Sequence, residues 1–275
     1  MPLTAEAAAS SRLNGRIAFL LTTLGSGAGA LLRALGALPQ LYVVPVPSHL
    51  FAQGLQHVLE HRVLDEERNG LYNLADTDEV LLAARLLGDS LLAAPDDGRR
   101  VIEYSPEHIA ITAPIRELYP DAVLIHLVRD GREVAMRLSS PAHGMAPRFA
   151  AQLWLEDQRT MSALVDQPTY CCVRWEDLVG DPRATLGVIA SRLGLDVATT
   201  DVATAAATLP PGVPSRFHGR AAAMVELGGG DVLARYGYAA RALPGAERLG
   251  AWAELAAAGT TGATRRLLLG GWRRS

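Results

Sequence analysis

Residues 122–128, AVLIHLV, are apolar apart from His126 and rich in branched side chains. A strand without a polar face must be covered on both sides, which is the habit of a parallel strand inside an α/β sheet. Four further short runs match it in length: 16–22 (RIAFLLT), 41–46 (LYVVPV), 101–104 (VIEY) and 169–175 (TYCCVRW). Helical patterns fall between them. ALLRALGAL follows the first run and closes at Gly36 and Pro39. Residues 52–62, 77–93, a stretch from Pro106 toward Leu118, 131–138, 146–165 and 181–194 also read as helices. Alternation of this kind predicts one parallel sheet with helices on both faces, a three-layer α/β domain. Residues 196–215, rich in Ala, Thr and Pro, read as a loop or lid, and 243–275 as a helical tail. We expect one domain over 1–242 and a helical extension of that same domain over 243–275.

In such a sheet, ligands collect at the carboxyl ends of the strands. Three conspicuous features fall at such ends: the small-residue loop after the first strand, Arg129 and Trp175. The loop reads Thr22-Thr23-Leu24-Gly25-Ser26-Gly27-Ala28-Gly29 and joins a strand to a helix. Small residues let backbone N–H groups approach a phosphate, and the helix start adds a favourable dipole. The loop has neither the spacing nor the lysine of a Walker motif, and Ala30 and Leu32 break the dinucleotide fingerprint. Taken alone, it serves equally well as an anion cradle or as a tight turn.

Composition narrows the chemistry. All 26 basic residues among the 275 are arginines, so a Schiff base, a lysine acid and a P-loop kinase lysine are excluded. A net charge of −3 argues against a general nucleic-acid binder, so any phosphate must be met by a local cluster. Cys171 and Cys172 are adjacent, point to opposite faces of a strand and suit a reducing cytoplasm. No apolar signal core opens the chain, and no run reaches the ~18 residues of a membrane span.

Three segments in order carry a resemblance. Tyr119-Pro120-Asp121 through the strand to Arg129-Asp130-Gly131-Arg132-Glu133-Val134 resembles the 3′-phosphate-binding strand and helix of the sulfotransferases that use 3′-phosphoadenosine-5′-phosphosulfate (PAPS). Val173-Arg174-Trp175-Glu176-Asp177-Leu178, ending at Leu193-Gly194-Leu195, is similar to the next segment of that family. Trp154 and the run from Leu233 to Gly237-Tyr238 fit its pattern too, so the likeness covers roughly 16–238.

The resemblance implies a P-loop-like fold and sulfuryl transfer from PAPS to a small-molecule hydroxyl, such as that of a specialised metabolite, leaving 3′-phosphoadenosine-5′-phosphate. It implies that Thr22, Thr23, Gly25, Ser26, Gly27, Ala28 and Gly29 hold the 5′-phosphosulfate. Arg129 then takes the 3′-phosphate through its guanidinium fork, and Trp175 lies beside adenine. Arg216-Phe217-His218-Gly219-Arg220 stands where a last basic loop closes over the 3′-phosphate.

The departures are specific. Where the family commonly reads Pro-Lys/Arg-Ser-Gly-Thr-Thr, this chain has Leu24 to Gly29, with no basic side chain and neither threonine. The serine eight residues after the family arginine is Arg137, which can still reach phosphate. Pro47 replaces a glutamate before Ser48-His49-Leu50-Phe51, and Tyr104 replaces a lysine. Transfer needs a base for the acceptor hydroxyl, and His49 and then His108 are the candidates. Glu176 and Asp177 read as helix-start residues, and Arg265 and Arg266 as solvated surface. A second reading stays open: an altered relative that binds a nucleotide or small ligand without transfer, or runs different chemistry.

Overall fold

β1 (Ile17–Leu21) lies at the centre of the molecule with every residue buried. The computed structural model describes residues 12–45, 47, 49, 51, 77–92, 94–212 and 217–257, with only the backbone course given for 77–81, 252 and 254–257. Around β1 stand β2 (Leu41–Val43), β3 (Arg100–Tyr104), β4 (Val123–Val128) and β5 (Tyr170–Arg174) in the order β2-β3-β1-β4-β5. All four pairings are parallel. Alternation along β1 feeds two cores. Ile17, Phe19 and Leu21 join Val101, Leu124 and Ile115 on one face, while Ala18 and Leu20 join Ile102, Ile125 and Leu127 on the other.

Helices cover both faces. In chain order they are α1 (Ala28–Gly36), α2 (Thr77–Leu91), α3 (Thr112–Leu118), α4 (Gly131–Leu138), α5 (Pro147–Ser162), α6 (Trp175–Gly180), α7 (Pro182–Arg192), α8 (Thr199–Ala207), α9 (Gly219–Gly228), α10 (Gly230–Arg235) and α11 (Gly245–Ala257). A third cluster gathers α4, α5, α9 and α10 around the buried Trp154, and Ala251 of α11 packs into it. This is the expected α/β, P-loop-like architecture with a parallel sheet, helices on both faces and a helical carboxyl-terminal region.

Several boundaries differ from the sequence reading. The second strand stops at Val43, because Pro45 and Pro47 have no N–H for the ladder. The fifth ends at Arg174, and Trp175 opens α6 with Glu176 and Asp177 in its first turn, where acids favour a helix start. Residues 196–215 are not one loop: Thr199–Ala207 is helical, with Ala205 wholly buried. The alanines supply the helix propensity, and Pro210 and Pro211 act only after its end. The expected helix 52–62, together with Ser48, Leu50, Arg216, Arg265 and Arg266, lies outside the described residues.

Candidate active site

At the carboxyl edge of the sheet, β1 passes into the loop 22–29. Thr22 and Thr23 are buried and serve the scaffold. The Thr22 hydroxyl donates to the Leu127 carbonyl of β4 at 2.7 Å, and the Gln158 amide donates to Thr23 Oγ1 at 3.1 Å. Beyond them the chain turns through two left-handed glycines, Gly25 (φ 87°) and Gly27 (φ 105°), a conformation that side chains resist. Gly27 caps α1, whose first amides have no intrahelical partners. Ser26 is buried, and its Oγ has no hydrogen-bond partner among the described residues. A buried hydroxyl left this way costs about 1–3 kcal/mol, which an anion's oxygen at the loop would recover.

Trp175 seals one side of this loop. A Cβ on Gly27 would lie 2.4 Å from its Cε3, so indole and loop backbone are in direct contact. The Arg129 guanidinium stacks over the same ring, 5.1 Å from its centroid. Arg129 is held further by Glu133, whose Oε2 accepts from Nε at 2.7 Å. Its backbone is fixed as well. Buried Trp154 donates to the Arg129 carbonyl at 3.1 Å and packs so closely on Gly131 that a Cβ there would lie 2.4 Å from the indole. The two Nη groups of Arg129 have no partner among the described residues. Arg129, Glu133, Arg137, Ser139, Ser140, His218 and Arg220 border one cleft of about 550 Å³. Three guanidiniums face one carboxylate there, a balance that favours a polyanion.

Neighbouring charges are spent on structure. Arg132 forks onto Asp130 at 2.7 Å, reaches Glu226 at 2.9 Å and lies over Phe217. Glu176 accepts from the Asp130 amide at 3.1 Å and from the Tyr238 hydroxyl at 2.8 Å, in keeping with a structural role.

On the opposite flank of the loop, past β3, stands His49. Its amide donates to Ser105 Oγ at 3.0 Å, and its Nδ1 lies 3.0 Å from Glu107 Oε2 and 3.1 Å from Oε1. The backbone at His49 is left-handed (φ 51°), and about 39% of its side chain is exposed. Glu107, which the sequence reading passed over, thus orients the first candidate base. The signal was the Ser105-Pro106-Glu107 turn after a buried strand, but nothing in the sequence announces its contact with residue 49.

His108 is placed differently from the expectation. It is fully buried, with Nε2 2.8 Å from the buried Glu103 and Nδ1 accepting from the Ser105 amide at 3.3 Å. At full burial the ring has no face open to an acceptor hydroxyl in this structure. Tyr104 offers no base either, since burial pushes its hydroxyl up to about 12.

Across the sheet edge the order is therefore His49 with Glu107 beside β3, the glycine loop after β1, Arg129 with Arg137 after β4, and Trp175 after β5. The loop thus lies between the His49–Glu107 pair on one side and the arginines on the other.

Solved structures share the fold. The chain is similar to the sulfotransferase domain from the curacin biosynthetic pathway, with 16% identity and TM-score 0.55 over 84% of this chain and 100% of that one. It is similar to a sulfotransferase of Mycobacterium avium, with 11% identity and TM-score 0.57 over 87% of this chain and 81% of that one. The sulfotransferase domain of the Synechococcus PCC 7002 olefin synthase gives 22% identity and TM-score 0.51 over 83% and 95%. A comparison with curated protein sequences finds no match. No described helix is long and apolar enough to cross a membrane. The sulfotransferase family profile matches residues 26–199, well over half of the chain, from within the glycine loop to the start of α8, and the chain belongs to that family.

Proposed function

We propose that this protein transfers a sulfuryl group from PAPS to a hydroxyl of a small molecule. The observation that carries the reading is the cleft of three arginines joined, through the stack of Arg129 on Trp175, to a glycine loop with an unpartnered buried hydroxyl. These residues fit a nucleotide that has phosphate at both ends. Arg129 and Arg220 meet the 3′-phosphate, Trp175 offers an aromatic wall for the adenine side, and the loop amides and Ser26 receive the 5′ end. PAPS supplies a sulfur atom activated by its bond to a good leaving phosphate. His49 Nδ1–H donates to Glu107, so Nε2 carries the lone pair that takes the acceptor proton. The acceptor oxygen bonds to sulfur in line, the S–O bond to phosphate breaks, and 3′-phosphoadenosine-5′-phosphate leaves with the electron pair. Charge building on that phosphate is met by the loop amides, which are already in place. Two similar domains are named for a biosynthetic pathway and a biosynthetic enzyme, which supports a small-molecule acceptor.

Calorimetric titration with 3′-phosphoadenosine-5′-phosphate tests the site. Wild type should bind, and Arg129→Ala should lose roughly 2–4 kcal/mol of binding. Sulfate transfer to a panel of hydroxylated acceptors tests the chemistry. His49→Ala should lower the rate by ~10²–10⁴-fold with nucleotide affinity retained. No nucleotide binding by wild type overturns the reading; binding without transfer to any acceptor would support the altered, non-transferring relative instead.

A further inference from the structure

The three arginines of the cleft are not equivalent. Arg129 is clamped by Glu133 and stacked on Trp175. Arg137, two helical turns further along, is exposed, and its guanidinium makes no hydrogen bond or ion pair among the described residues. Its aliphatic stem runs beside the glycine loop: a Cβ on Gly25 would touch Arg137 Cδ at 3.6 Å and Leu138 Cδ2 at 3.5 Å. From 22 to 29 the loop has no ionisable side chain. Glu133 and Arg137 are four residues apart and share a face of α4, yet the carboxylate is turned back to Arg129 at 2.7 Å. The helix thus presents one neutralised cation at the β4 end and one uncompensated cation at the loop.

Resting on the nucleotide reading above, we propose that Arg137 is the cation for the 5′ end of the bound nucleotide, and that Arg129 serves its 3′ end. The geometry also gives Gly25 a reason. Any side chain longer than a methyl at that left-handed position would meet the Arg137 stem. A helix side chain can approach the loop only because the loop has none of its own there.

Titrations with two half-ligands separate this assignment from the reading it rests on: adenosine 5′-phosphosulfate, which has no 3′-phosphate, and adenosine 3′-monophosphate, which has no 5′-phosphate. Arg137→Ser should weaken adenosine 5′-phosphosulfate by about tenfold or more, the worth of one charge-assisted hydrogen bond, and leave adenosine 3′-monophosphate within about twofold. Arg129→Ala should do the reverse. Arg137→Lys, which keeps the charge, should recover most of the 5′ affinity, which a purely structural role would not produce. Arg137→Ser that weakens the 3′-monophosphate, or changes neither ligand, overturns the assignment while the nucleotide site stands. Wild type that binds neither half-ligand nor 3′-phosphoadenosine-5′-phosphate overturns the nucleotide reading and this assignment with it.

Discussion

The two left-handed glycines of the loop, Gly25 and Gly27, make opposite demands. At Gly27 a Cβ would lie 2.4 Å from the Trp175 ring, and the backbone is left-handed as well. Gly27→Ala must both strain the backbone and move the indole on which Arg129 stacks. It should cost at least ~2 kcal/mol in urea unfolding and weaken nucleotide binding in the same preparation. At Gly25 the added Cβ would meet only ordinary contacts at 3.5 and 3.6 Å. Gly25→Ala should therefore cost about 1 kcal/mol, the left-handed penalty alone. The sequence located this loop and marked Arg129, because small residues and a cation at strand ends are local signals. It offered no means of separating Thr22 and Thr23, which are spent on Leu127 and Gln158, from Ser26, whose hydroxyl is unpartnered. Which groups are satisfied depends on residues a hundred or more positions away. His108 shows a limit at short range: Glu103 stands only five positions away, yet the spacing does not reveal that the two meet in the core.

At the scale of elements, α4 is the piece on which the site is assembled. Asp130 caps it by accepting the Arg132 amide at 3.0 Å, and Arg132 ties it to Glu226 on α9. Beside it, β4 carries a titratable group into the core. His126 is fully buried, and burial lowers its pKa to about 3, against the opposing pull of nearby Gln158, which favours the protonated ring. The Tyr170 hydroxyl, its own pKa pushed up by burial, hydrogen-bonds to the ring at Nδ1 over 2.6 Å. The unfolded chain takes up a proton at this histidine near pH ~6.5, where the folded protein does not. Its contribution to stability is therefore whole above that pH and is lost as pH falls toward about 3. Urea midpoints should record a loss of about 2 kcal/mol between pH 7 and pH 5. His126→Gln, which accepts the same hydroxyl but takes no charge, should flatten that slope. Strand β4 was legible in advance as an apolar run; α8 was not, because its threonines and the prolines after it outweighed its alanines.

On the scale of the whole molecule, the strand alternation was enough to foresee a parallel sheet and the edge on which the site lies. The carboxyl-terminal helix tests how far the single domain extends. Ala251 of α11 and Leu243 before it pack with α4, α5 and α9, and Arg241 pairs with Glu247 at 3.4 Å. We expect a chain ending at Ala242 to unfold in one transition with at least ~2 kcal/mol less stability, since apolar surface on α9 is uncovered. An unchanged midpoint would make the tail a separate unit. The strand order has a further consequence, for synthesis. Of the five described strands β1 is synthesised first, yet Ile17 pairs with Val101 and Ala18 with Val123. At ~5–20 residues per second, translating the intervening hundred or so residues takes roughly 5–20 s. For that time the nascent chain exposes five consecutive apolar residues with neither edge paired, so a chaperone has a defined segment, Ile17–Leu21, to shield until β4 is complete.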